Sequence, residues 1–376
     1  MRQDDGRLNE AKATPIRDVA LRLELTELRP AGGELIGPCP KCGGIDRFGI
    51  NPDRAVFLCR RCGVGGDQVA LVQHVLGIDF RGALDWLIGP AETISEAERA
   101  RRAVRAAEAR AKQDRIASAK RARAIDAARD IWHAAQPAED SIVRDYLARR
   151  GLGRALWPDL PATIRFAPAL RFTHPDPARR GEWVTLHEGP AMVCAVTDPS
   201  NRVTAVHRTW IDLDQPGGKV LIPDPADPAR LLPAKKVLGS KKGGAIRLRG
   251  GTESGVLVMG EGVETTASAM VAVPDALRGA AFWAGVDLGN MAGRMLRVPK
   301  NRWSGEPDMS DSGAFVPPQW VRELIFIRDG DSDRNMTLAK LQAGLRRAIR
   351  LRPGLVGRIV DPGDGVDLND ILMGKG

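Results

Sequence analysis

Leu324-Ile325-Phe326-Ile327-Arg328-Asp329-Gly330-Asp331 is an apolar, partly β-branched run that ends in two aspartates around one glycine. It reads as a buried strand. The acids at its carboxyl end offer the clustered oxygen ligands that hard divalent cations take. Gly330, without a Cβ, lets backbone approach a bound ligand closely. Asp-Gly-Asp is also a common solvated turn, so the triplet alone decides little. A second unit of the same design comes earlier. Val256-Leu257-Val258-Met259 runs into Gly260-Glu261-Gly262, and residues 263–270 read as a helix. Two strands of one open α/β sheet, each ending in acid, would bring Glu261 and Asp329 together at the carboxyl edge where such sheets bind ligands.

The surrounding residues fit that sheet. From Ala245 the pattern predicts strands over 245–248 and 255–259, a helix, a strand over 280–284 and a helix over 288–296. A Pro/Gly/Ser-bearing loop leads to the strand ending at Arg328. The next helix places Leu341, Leu345, Ala348 and Ile349 on one face, and a last strand over 356–360 leads to Asp367-Leu368-Asn369-Asp370. Alternating strands and helices imply a mainly parallel sheet.

At the other end, Cys39-Pro40-Lys41-Cys42 and Cys59-Arg60-Arg61-Cys62 are separated by sixteen residues. Two such knuckles have the spacing of a four-cysteine zinc ribbon. Residues 47–50 and 55–58 alternate around Asn51-Pro52-Asp53 and predict a hairpin between them. A helix is expected over 15–24. Asp67 and Asp79 are N-caps for two more, the first covering Gln68 to Leu76. His74 lies on that first helix and, beside four cysteines, reads as packing. Cys194 sits in a β-like apolar run and reads as a buried small hydrophobe.

Between Arg99 and Ala124 stand ten Lys or Arg against two acids. With few large apolar side chains and a Ser95/Glu98 capping box, residues 93–130 predict a solvated connecting helix, or one that touches a phosphate backbone. The middle is mixed. Ile142, Val143, Tyr146 and Leu147 mark a helix ended by Gly151, and strands are expected over 183–187, 192–197 and 202–211. Beyond them, Lys235, Lys236, Lys241 and Lys242 interleave with glycines in a basic loop suited to phosphates.

The chain has 376 residues, enough for two or three domains, and its net charge of +9 favours an anionic partner, nucleic acid before membrane. No apolar run approaches the ~20 residues that span a bilayer. Met1-Arg2-Gln3-Asp4-Asp5 lacks a signal peptide's apolar core, so a cytoplasmic location is expected.

Glu261 in "EGVET", Asp329 and Asp331 in "DGD", and "GVDLNDIL" resemble the Toprim domain of primases, topoisomerases and some nucleases. "CPKC" and "FLCRRCGVGGDQVALV" resemble the zinc ribbon of bacterial and phage-type primases, many of which use three cysteines and a histidine. "KVLGS" is similar to the "KYLNS" stretch of primase cores, and "VHRTW" aligns loosely with the strand upstream.

The resemblance to phage- and plasmid-type DNA primases implies a multidomain α+β protein. Its expected parts are a small antiparallel zinc ribbon with helices (1–90), a basic helical connector (91–130), a mixed primase-core-like region (131–250) and a Toprim domain (251–376). It implies short RNA primers made on a single-stranded DNA template from ribonucleoside triphosphates, with a separate replicative helicase as partner. One structural Zn²⁺ would sit on Cys39, Cys42, Cys59 and Cys62. Catalytic Mg²⁺ or Mn²⁺ would sit on Glu261, Asp329 and Asp331, with Asp367 and Asp370 as outer candidates and Asp333 as an alternative. Arg208, Lys235, Lys236, Lys241 and Lys242 would contact nucleic acid or nucleotide. Glu264 falls one position short of a further acid of the cellular enzymes.

Other readings stay open. A DNA-binding adaptor with an idle Toprim domain and a Toprim nuclease share these features. A topoisomerase needs a nucleophilic tyrosine, and the single tyrosine, Tyr146, reads as packing. An ATPase-linked nuclease needs a phosphate-binding G-x-x-x-x-G-K-[S/T] loop, which Gly217-Gly218-Lys219-Val220 does not match.

Overall fold

The computed structural model describes residues 3–90, 96–179, 181–298, 301–330, 332–363, 365 and 368–374. Ser95, Asp331 and Asp367, to which the sequence assigns roles, lie outside the described residues. The chain divides into two compact units, 1–120 with 173–184, and 121–172 with 185–376.

The first unit opens with α1 (Gln3–Ala13) and α2 (Ile16–Arg22), followed by a five-stranded antiparallel meander. Its strands are β1 (Arg29–Ala31), β2 (Glu34–Cys39), β3 (Gly43–Asn51), β4 (Val56–Cys59) and β5 (Val64–Gly66). Along β4 the pleat buries Phe57 and Cys59 and exposes Val56 and Leu58. Two helices follow, α3 (Gln68–Leu76) and α4 (Phe80–Ile88). Asp67 caps α3 by accepting from the amides of Val69 and Ala70, and Asp79 caps α4 through the Gly82 amide. These helices pack Leu71, Val72, Leu84 and Leu87 into one core with Phe48, Ile50 and Phe57.

The basic connector is one 39-residue helix, α5 (Glu96–Ala134). Most of it is exposed. Only its end carries a packed face, where Ala128 and Trp132 meet Val193, Ala195 and Val206.

The second unit holds two five-stranded sheets. The first begins with β6 (Gln136–Pro137), followed by α6 (Ile142–Arg149), β7 (Ile164–Pro175), β8 (Trp183–Thr197) and β9 (Val203–Trp210). After the short hairpin β10 (Ile222–Asp224) and β11 (Asp227–Leu232) comes β12 (Lys235–Gly239), which closes the strand order β12-β9-β8-β7-β6. Two expectations change here. The separate strands over 183–187 and 192–197 are one 15-residue strand. The first half of the basic loop is an edge strand, with Lys235 and Lys236 paired to Thr209 and Arg208; pairing with β9 outweighs the loop character suggested by the glycines beyond.

The second sheet comprises β13 (Ile246–Arg249), β14 (Val256–Gly260), β15 (Ala281–Ala284), β16 (Glu323–Ile327) and β17 (Val356–Val360), in the order β13-β15-β14-β16-β17. Every pair is parallel except that of β13 with β15. Its helices are α7 (Val263–Val271), α8 (Leu288–Ala292), α9 (Arg334–Leu351) and α10 (Leu368–Leu372). Val258 and Ile325 point into the core with Val263, Ala267 and Met270 of α7. Leu257, Met259, Leu324 and Phe326 pack on the other face with Leu341, Leu345 and Ala348 of α9. Burial on both faces explains why β14 and β16 are continuous apolar runs. Ile349, expected on the buried face of α9, is 41% exposed. The helix α8 stops at Ala292 because Gly293, at φ +78°, turns the chain.

Candidate functional site

The chain leaves β14, forms β15 on one side of it, then crosses to form β16 on the other. The carboxyl end of β14 is therefore the point where strand order reverses, and open α/β sheets bind ligands there. Glu261 follows β14 directly. Asp329 follows β16 after one residue. Both line one cavity of about 440 Å³. Gly260 sits so close to α7 that a Cβ would lie 2.6 Å from Thr266 Oγ1, so the turn presenting Glu261 has no room for a side chain. Val286, after β15, lines the same cavity at φ +74°, a strained conformation for a β-branched residue. Two carboxylates at a strand edge suit a hard cation that also takes phosphate oxygens.

The rest of the lining is cationic: Arg150, Lys219, Lys235 and Lys236, with His207 beside them. Among them Glu264 is 5% exposed. It accepts from Tyr146 Oη at 2.5 Å and Lys219 Nζ at 3.1 Å, and pairs with Lys235 Nζ at 3.9 Å. Burial opposes its ionisation, but Lys235, Lys219 and the tyrosine hydroxyl outweigh that and hold it well below the usual carboxylate range. Burial pushes Tyr146 up, helped by Glu264. A fully buried phenol whose proton is held by a carboxylate is no nucleophile, and Tyr146 packs as its helical spacing suggested. Burial also lowers His207 to about 4, so this imidazole is neutral. Lys236 falls to about 8 through burial and the neighbouring Arg208, its ammonium 3.8 Å from the centroid of Phe172.

The remaining basic residues lie elsewhere. Arg208 is 9% exposed, stacks over Trp210 at 5.3 Å and does not line the cavity. Lys241 is paired with Asp287, and neither it nor Lys242 borders the cavity. Asp333 caps α9 through the Met336 amide, and Asp370 lies in α10 and is not among the residues that line the cavity.

In the first unit, the four cysteine sulfurs lie within 4.8 Å of one another. Cys39 and Cys62 are 3.9 Å apart and Cys42 and Cys59 3.6 Å, against an edge of about 3.8 Å for a tetrahedral Zn–S₄ centre. The amides of Lys41 and Cys62 point at the sulfurs of Cys39 and Cys59 (3.4 Å each), a polarity that favours thiolates. The donor set fits a structural zinc ion. His74 stands behind it, stacked on Phe48 and Phe57, with Nε2 3.4 Å from the Cys39 sulfur.

Residues 122–248 match a family described as "Domain of unknown function (DUF7146)". No curated protein matches the chain. Among solved structures, the zinc-binding and RNA polymerase domains of the Aquifex aeolicus primase are similar at 16% identity and a TM-score of 0.36, over 98% of this chain and 82% of that one. A DNA primase domain from Pseudomonas aeruginosa is similar at 13% identity and a TM-score of 0.37, over 67% and 75%. Likeness at those TM-scores is too remote to assign fold or activity.

Sequence reading missed Arg150, Lys219 and the part Glu264 plays. A signal for Lys219 was present. Gly218, at φ +67°, leaves no space between backbone and the Tyr146 ring, so Gly217-Gly218-Lys219 is built for close packing. Nothing local marks Arg150.

Proposed function

We propose that this protein is a DNA primase, which starts short RNA chains on single-stranded DNA by divalent-metal-dependent nucleotidyl transfer. The observation that carries the reading is the cavity at the strand-order reversal, where Glu261 and Asp329 share a lining with Arg150, Lys219, Lys235 and Lys236. Glu261 and Asp329 would hold Mg²⁺ or Mn²⁺, with Asp331 as a third ligand and Asp367 and Asp370 as outer candidates. When bound, such an ion activates the attacking 3′ hydroxyl and neutralises charge at the transferred phosphorus. The lysines bind and orient the triphosphate of a ribonucleotide. The zinc-bound cysteines would order the ribbon against the single-stranded template, the exposed arginines of α5 would follow its backbone, and a separate replicative helicase would supply it. The protein contributes mainly positioning and electrostatics.

The test is primer synthesis by Asp329→Ala on single-stranded DNA with labelled nucleotides and Mg²⁺. Synthesis should fall on the order of a thousandfold, as expected when a metal ligand leaves a phosphoryl-transfer site. DNA affinity should hold, and the melting temperature in metal-free buffer should stay or rise as carboxylate repulsion is relieved. Normal synthesis by this variant would remove the catalytic role.

A further inference from the structure

Glu264 is not used as a metal ligand would be. Its carboxylate is buried, with the Tyr146 hydroxyl donating to Oε1, Lys219 Nζ also on Oε1 and Lys235 Nζ nearest Oε2. The three partners come from separate parts of the chain. Tyr146 is on α6, Lys219 follows β9 in a loop, and Lys235 opens β12. Gly218 lies against the tyrosine ring, which fixes the loop that carries Lys219.

Two ammonium groups converging on one cavity repel each other, and Lys219, with 24% of its side chain exposed, also loses part of its hydration. Glu264 offsets both effects. An ammonium has three donors, so Lys219 and Lys235 each retain donors for the cavity they line. The lining holds two further nitrogen-bearing side chains. Arg150 Nε and His207 Nδ1 are buried and have no hydrogen-bond partner among the described residues. A cavity with two ammoniums paired to one carboxylate, a guanidinium and further carboxylates along one edge matches a polyphosphate chelated to a cation.

We propose that Glu264, clamped by Tyr146, is a positioning residue that holds Lys219 and Lys235 as a cradle for the triphosphate tail of a nucleotide. The assignment rests on reading the cavity as a nucleotidyl-transfer site, and it gives the lone glutamate of "EGVET" beyond Glu261 a role distinct from metal ligation.

Its electrostatic sign makes it testable. Simply removing a negative charge beside an anion site should tighten anion binding. If Glu264 positions the lysines, Glu264→Gln should instead weaken it. The measurement is the affinity of the full chain for inorganic tripolyphosphate at fixed ionic strength and Mg²⁺, beside its affinity for a single-stranded oligonucleotide. Lys219→Met, Lys235→Met and Glu264→Gln should each weaken tripolyphosphate binding about tenfold and leave oligonucleotide binding unchanged. Equal or tighter tripolyphosphate binding by Glu264→Gln overturns the proposal, as does a loss confined to the oligonucleotide, which would make the cations backbone contacts.

Glu264→Gln takes the charged partner from Lys219, whose side chain is 24% exposed, and a variant that does not fold is covered by a second comparison. In that event Glu264→Gln combined with Lys219→Met, which removes the pair together, is compared with Lys219→Met alone. The double variant should bind tripolyphosphate more weakly because Lys235 has lost its partner, and equal affinity overturns the proposal. None of these readouts involves synthesis. A protein that binds tripolyphosphate as described but makes no primers would contradict the primase reading and leave the cradle standing.

Discussion

Arg328 is 0% exposed, one residue before Asp329, and its guanidinium is held by Asp361 at 2.6 Å, just beyond β17. It also donates to the carbonyl oxygens of Asp329 and Gly363, so one buried side chain ties the carboxyl ends of β16 and β17 together. The two partners are not equivalent. Asp361 is partly solvated and has a second cation in Arg334, whereas Arg328 has no solvent to turn to. Asp361→Asn should therefore cost about 1.5–3 kcal/mol, the range for a hydrogen bond to a charged group, while Arg328 keeps the carbonyl oxygens of Asp329 and Gly363. The Arg328 hydrogen bond is the main reason Asp361 lies below the usual carboxylate range. A depressed folded value stabilises above the unfolded value of about 3.9 and is lost as pH falls through the folded value. The gap between wild type and Asp361→Asn should accordingly narrow below about pH 4. Urea melts of both proteins at pH 7 and pH 3 would show it, and a gap independent of pH would exclude the ion pair as its source. At this scale the sequence shows the acids and the cysteines, because their chemistry is local. It does not show Tyr146 bound to Glu264, 118 residues away, since only tertiary packing brings them together.

Among the elements, β14 and β16 are legible because each is a short apolar run with β-branched residues, closed by glycine and acid, too short for a buried helix. The edge strand β12 is not, because it opens with two lysines and runs into glycine and serine, a composition that also suits a loop. That difference moves the expected DNA contact. Lys235 is engaged by Glu264 and Lys241 by Asp287, which leaves the long helix α5 as the better-exposed basic element. Arg101, Arg105, Arg110 and Arg115 are all exposed along it. Changing these four to Ala keeps or raises helix propensity, so lost affinity can be assigned to charge. Single-stranded DNA binding should weaken. The slope of log affinity against log salt should flatten by about 0.7 for each arginine that touches a phosphate. Fluorescence anisotropy at four salt concentrations gives the slope, and an unchanged slope would mean that α5 is only a solvated connector.

On the scale of the whole chain, the two units differ in what holds them. The second has a continuous apolar core that joins β14 and β16 to α6, α7 and the sheet of β8 and β9. The ribbon of the first unit is five short strands, the longest nine residues, and part of its core is Cys39 and Cys59 themselves. So small a sheet gains much of its folding free energy from thiolate ligation, which is worth about 10–16 kcal/mol in zinc-finger peptides. Protein purified without chelator should contain one zinc per chain by elemental analysis. Stripping it, or changing Cys59 to Ser, should abolish hydrogen-exchange protection across residues 34–66 while the amides of β14 and β16 stay protected. Calorimetry of the full chain should then show one transition lost and the other unmoved, because no thiol cluster supports the second unit among the described residues. If both transitions shift together on chelation, the ribbon and the second unit unfold as one, and the two are not independently stable.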